Sequence, residues 1–187
     1  MFLLILGVAL FTLIHLFPCF AAHPRARLRE RLGDSSYKGL FALLVFVAIA
    51  CMIAGWRAAS AIPLYFLPEW GPLAMMVMMP FALILFCSAQ GPNHLRRWLV
   101  HPQLLGTLLW AVAHLLVNSE ARSLVLFGGI GLWALVSIVW ISVRERQRYF
   151  RPAANWTSTG ISVGAGLAAT ALLIGWGHGW LTGIPLH

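Results

Sequence analysis

Six long apolar runs, separated by short polar stretches, account for most of the chain: residues 2–22, 38–60, 71–90, 102–118, 123–142 and 160–181. A helix needs about 20 apolar residues to cross a hydrocarbon core roughly 30 Å thick, so the pattern predicts about six transmembrane helices. Strands are excluded because an open sheet edge cannot be satisfied in lipid, and because no run alternates with the period of two that a membrane barrel requires. The expected fold is all-α, a polytopic helical bundle forming one integral membrane domain over residues 1–187. The fourth run is the weakest, being short and bounded by Pro102 and Asn118.

Charge sets the expected orientation. Cations follow the first run (Arg25, Arg27, Arg29, Arg31, Lys38), the third (Arg96, Arg97) and the fifth (Arg144, Arg146, Arg148, Arg151), while Arg57 and Arg122 alone fall in the alternate loops. Loops rich in Lys and Arg stay in the cytoplasm, which places both termini on the other side. Residues 1–22 read as a first span and not as a secretion signal, because Met1 to Leu6 carry no Lys or Arg and the cations come after the apolar stretch. Trp56, Trp70, Trp98, Trp156 and Trp180 fall near expected helix ends, where an amphipathic ring suits the headgroup layer.

Composition narrows the function. The chain is 60% hydrophobic and 10% charged, with a mean hydropathy of +0.84, whereas soluble domains are about 25% charged. The formal net charge of +8 is confined to the short polar stretches, so it reports orientation and lipid headgroups before any other partner. Nucleic-acid binding and a water-exposed catalytic cleft are therefore excluded, and the lipid bilayer is the expected partner. Cys19, Cys51 and Cys87 lack the close spacing of a zinc site or disulfide scaffold and read as buried thiols. Gly160, Gly164 and Ala168 recur every fourth residue in the sixth run, a spacing that lets a neighbouring backbone approach. Gly128, Gly129 and Gly131 read as packing positions or as room for a flat ligand.

No Asp or Glu lies inside any run, so a carboxylate proton relay has nothing to run on, and the intramembrane ionisable groups are His15 and His114. Gln103, Thr107, Trp110, His114 and Asn118 follow one another at spacings of four, three, four and four, which makes one polar face on the fourth helix. Thr12, His15 and Cys19 form a weaker version on the first. Either each histidine bonds across helices, or the pair acts as ligands. At about 1.5 Å per residue both lie slightly past the midplane, with Cα depths differing by about 8 to 10 Å. Two imidazoles so placed suit bis-axial ligation of a planar iron macrocycle. A bare zinc ion wants four ligands, and only Cys19 is near. Residues 11–17 (Phe-Thr-Leu-Ile-His-Leu-Phe) also echo 110–116 (Trp-Ala-Val-Ala-His-Leu-Leu); with three spans per half, such a repeat is inverted.

Other residues take secondary places. His101 lies thirteen residues before His114, about 140° around the helix, and reads as a cap beside Pro102 or as a substitute ligand. Arg25, Arg27, Arg96 and Arg97 are the expected partners for haem propionates. His23, His94, His178 and His187 fall in loops or ends. The Met75 to Pro80 run lines a pocket or fills the core.

The stretch Gly91-Pro92-Asn93-His94-Leu95-Arg96-Arg97, then His101-Pro102-Gln103-Leu104-Leu105-Gly106 and Leu109-Trp110-Ala111-Val112-Ala113-His114-Leu115-Leu116, closely resembles the bacterial NnrU family. His15, the basic stretch from Arg25 to Gly33 leading to Tyr37 and Leu40, and Leu126-Phe127-Gly128-Gly129 extend the likeness over most of the chain. The family is linked to nitrite and nitric oxide reduction in denitrifying bacteria, and it includes relatives of 15-cis-zeta-carotene isomerase, a haem b membrane enzyme. The resemblance implies a multi-pass protein of the bacterial inner membrane, haem b as cofactor, and His15 and His114 as iron ligands. Around them Trp110, Thr107, His101, Arg96 and Arg97 become candidate cofactor-binding residues, and a redox or reductase-complex partner is implied. The isomerase has a cysteine where this chain has Ala111, which counts against isomerisation of a carotenoid-like polyene; an assembly factor for reductase complexes is the non-catalytic alternative. Membrane methyltransferases of the isoprenylcysteine type are a fainter echo. Their arginine is replaced by Val100 before His101-Pro102, and their paired glutamates are reduced to Glu145.

Overall fold

Helices form over each apolar run, and shorter helices fill two of the basic stretches between them. The computed structural model describes residues 1–145 and 153–184; Arg146, Arg148, Arg151, His187 and the side chain of Glu145 lie outside the described residues. The helices are α1 (Phe2–Phe20), α2 (Ala22–Leu32), α3 (Asp34–Ala58), α4 (Gly71–Cys87), α5 (His94–Trp98), α6 (Pro102–Leu115), α7 (Ala121–Ser123), α8 (Gly129–Glu145), α9 (Trp156–Leu172) and α10 (His178–Thr182). A π-helical turn at Leu124–Gly128 joins α7 to α8, and another at Leu173–Gly177 joins α9 to α10. No strand occurs among the described residues, only an isolated bridge between Pro63 and Glu120. The protein is thus an all-helical membrane bundle.

Among the described residues, four helical stretches are long and apolar enough to cross a membrane: Phe2–Phe20, Asp34–Ala58, Ala121–Arg144 and Trp156–Thr182. The third and fourth runs give shorter helices of 17 and 14 residues. At about 1.5 Å per residue α6 extends only about 21 Å, so the fourth run ends earlier than its expected 102–118.

The chain divides into two compact units, Met1–Ala61 and Ile62–His187. In the first, α1 packs along α3, with Leu4 and Ala48 fully enclosed. Small residues bring the backbones together, because a Cβ on Gly55 would stand 2.2 Å from the Leu4 nitrogen and one on Gly7 would stand 2.7 Å from the Met52 nitrogen. Gly33, at φ +78°, breaks the chain between α2 and α3 in a conformation that favours glycine. Asp34 then pairs with Arg29 and, at 2.6 Å, with Lys38. Trp56 is 5% exposed, two residues before the end of α3.

In the second unit α4 packs against both α6 and α9, and α6 against α8. Here the expected stripe of small residues is corrected. Gly160, Gly164 and Ala168 are exposed, and a Cβ on either glycine would meet nothing within 4 Å. The packed face of α9 is Thr159, Ser162 and Gly166, all buried. These residues follow i, i+3, i+7 spacing, the helical repeat for one buried face. Gly131 does pack as expected, its missing Cβ lying 3.1 Å from that of Ala111. Met76 is 75% exposed, so it belongs to the outer surface of α4. Phe46, Phe81, Val143 and Ile161 are exposed as well, the composition that a lipid-facing surface requires.

Candidate functional site

His114 lies in the last turn of α6. Its ring is 6% exposed, stacked on Phe127 with centroids 4.4 Å apart and tilted against Trp110 at 5.0 Å. The π-helical turn that carries Phe127 widens the helix at that point, a distortion often found at functional sites. His114 Nδ1 lies 2.9 Å from the Trp110 carbonyl oxygen. A carbonyl only accepts, so Nδ1 must carry the proton and Nε2 the lone pair.

In the first unit His15 repeats this arrangement. Its Nδ1 donates to the Phe11 carbonyl at 2.8 Å, its ring stacks on Phe11 at 4.0 Å, and Phe41 of α3 meets its edge at 5.4 Å. Both histidines therefore have an aromatic residue four positions back that supplies a carbonyl to Nδ1 and a ring to the imidazole. Helical geometry explains the recurrence, because residues four apart lie one above the other on the same face. The side chain of Cys19 turns back to the His15 carbonyl at 3.7 Å.

The polar face of α6 is present, and two of its side chains bond back to carbonyls four residues earlier. Thr107 Oγ1 donates to Gln103 O and Asn118 Nδ2 to His114 O, both at 2.9 Å. Trp110 is the residue of this face whose ring meets the His114 ring. His101 sits at the other end of α6, about 20 Å along the axis, and its Nε2 meets Ser142 Oγ at 3.0 Å. It stands at the N-cap position of α6 beside Pro102, as expected, without a side-chain cap hydrogen bond. Arg96 and Arg97 are exposed on α5 near that same end. Arg96, His101 and Gln103 line a polar hollow of about 220 Å³. Among the described residues no three His, Cys, Asp or Glu side chains gather as a bare metal ion would need.

Two supporting residues escaped the sequence reading. Tyr65 Oη bridges the Leu115 and Asn118 carbonyls at 2.6 and 2.8 Å, which ends α6 just beyond His114. Burial, with a smaller contribution from Glu120, raises its phenol above the ordinary value. The proton is thus kept in the folded state, and the latch weakens only as pH rises above about 10. Tyr65→Phe should cost about 1 kcal/mol and speed amide exchange at residues 115–118, as hydrogen-exchange mass spectrometry would show. A lone tyrosine in a loop carries no pattern by which a sequence reading could find it.

Asn93 is the second such residue, fully buried. Its Nδ2 donates to Ser88 O and Gln90 O at 2.9 and 2.8 Å, while Oδ1 accepts from Arg96 N at 2.8 Å. Beside it His94 stacks on Trp156 at 4.0 Å and bonds Thr159 Oγ1, tying the Gly91 to Arg97 segment to α9. Within that motif Asn93 and His94 are structural staples. Asn93→Ala leaves three polar groups without partners and should destabilise the protein by about 2 to 4 kcal/mol, measured as thermal unfolding in detergent. His178, expected at a solvated end, is half-buried at the start of α10, where its Nδ1 donates to Ile184 O at 2.7 Å.

A family model described as NnrU protein matches residues 3–186. No curated protein and no solved structure matches the chain.

Proposed function

From the premise that the chain belongs to the NnrU family, whose membrane proteins are associated with denitrification, we propose that it is a haem b protein supporting nitrite and nitric oxide metabolism in the bacterial inner membrane. His15 and His114 are the proposed axial ligands. The observation that carries this reading is their shared local geometry: in each, a backbone carbonyl holds the proton on Nδ1 and leaves the Nε2 lone pair for iron. Ligating histidines characteristically donate their other ring N–H in this way, which fixes the tautomer and raises ligand basicity.

The aromatic neighbours have a separate task. Phe127 and Trp110 pack on the His114 ring, and Phe11 and Phe41 on that of His15, so that each imidazole is oriented before any ligand arrives. Held by His15 and His114, haem b would supply one-electron transfer, which fits exchange with a redox partner of the reductase complexes. Polyene isomerisation draws no support here. Position 111 is a 1%-exposed alanine packed against Gly131, so no thiol stands at that place.

The test is optical. Protein purified from haem-sufficient cells should show a Soret band that sharpens on reduction, with the paired visible bands of a low-spin bis-histidine centre. A colourless preparation that takes up no added haemin would overturn the reading.

A further inference from the structure

The first unit carries a cleft that shares one wall, Phe41, with the surroundings of His15. It is apolar, encloses about 280 Å³, and is lined by Leu13 and Phe17 of α1, Leu28 of α2, and Tyr37, Leu40 and Leu44 of α3. From Tyr37 to Leu44 it follows α3 for about 10 Å, so it is a slot along the helix and not a surface dimple. At its Tyr37 end stands a cation. Arg25 precedes Leu28 by one helical turn of α2, and its guanidinium carbon lies 6.0 Å from the centre of the Tyr37 ring. The Arg25 Nε is enclosed and has no hydrogen-bond partner among the described residues. The neighbouring cations are placed differently: Arg29 and Lys38 are engaged by Asp34, and Arg27 is exposed.

A slot with apolar walls and one buried-edge arginine at its mouth has the charge and polarity profile of a single lipid, with an anionic head at one end and a hydrocarbon tail at the other. Basic pockets between membrane helices bind anionic headgroups in this manner. We propose that this cleft holds one anionic phospholipid from the adjoining leaflet, its phosphate on Arg25 and the start of one acyl chain between Phe17, Leu40 and Leu44. The proposal does not rest on the haem reading, although the two share Phe41 and it assigns Arg25 to a lipid phosphate in place of a haem propionate.

Native mass spectrometry of the detergent-purified full chain tests it, with phosphatidylglycerol and phosphatidylcholine of matched chains as probes. The wild type should bind phosphatidylglycerol at least tenfold more tightly than phosphatidylcholine. Arg25→Gln should erase that preference, Arg27→Gln should keep it, and Leu44→Trp should lower binding of both lipids by filling the slot. Equal binding of the two lipids by the wild type would overturn the proposal. So would equal losses in Arg25→Gln and Arg27→Gln, which would mean a diffuse basic surface. Undiminished binding in Leu44→Trp would overturn the seating of the chain, and thermal stabilisation by inorganic phosphate alone, matching that by phosphatidylglycerol, would mean an anion site and no lipid site.

Discussion

Replacing His114 with Ala should remove the Soret band from protein purified under haem-sufficient conditions, and His15→Ala should do the same. The effect is expected to be near-total because a bis-histidine centre that loses one side chain loses half its protein ligation, and lost metal ligands are among the few changes with large single-residue effects. The experiment needs a control for folding, since His114 is enclosed by Phe127 and Trp110 and its removal leaves a cavity between two rings. Free imidazole supplies it. Added at millimolar concentration it should enter that cavity and restore a Soret band in His114→Ala, which a merely structural role for the ring would not allow. Thr107→Val, on the same face but bonded only to the Gln103 carbonyl, should keep full colour. Retention of the band in both alanine variants would sink the ligand assignment.

Part of this candidate site is legible in the sequence. An ionisable residue inside an apolar run stands out against its surroundings, so His15 and His114 could be picked, and four-residue spacing placed Trp110 over His114. The hydrogen bonds from Nδ1 were not legible, because they depend on ring orientation and not on residue type. The helix ends were also misjudged. Hydropathy continues smoothly through Leu116 and Val117, but α6 stops at Leu115 because Tyr65 takes the Leu115 and Asn118 carbonyls and the Leu116 carbonyl abuts Gly71 of α4. Those contacts reach across some fifty residues of sequence, beyond any local pattern. Trp56 shows a similar limit: a position near the end of a run gives no sign that its side chain is 5% exposed.

The glycines of α9 separate pattern from packing most sharply, and they yield the second large effect. Gly164→Ala should be neutral or slightly stabilising, since a Cβ there meets nothing within 4 Å and alanine is favoured over glycine inside a helix by up to about 1 kcal/mol. Gly166→Ala, two residues on, should destabilise by about 3 kcal/mol, toward the upper end for an overpacked core. Its Cβ would stand 2.5 Å from Cα and 2.6 Å from N of Ile84, and those backbone atoms cannot turn aside as a side chain can. Relief would require α9 to move away from α4, losing the contacts around Ser162 and Thr159, and with Thr159 the hydrogen bond that holds His94. Thermal unfolding of both variants in the same detergent decides the matter. Equal melting temperatures would mean that α9 presents a different face to α4, and that the regular Gly160, Gly164, Ala168 spacing marks the real seam after all.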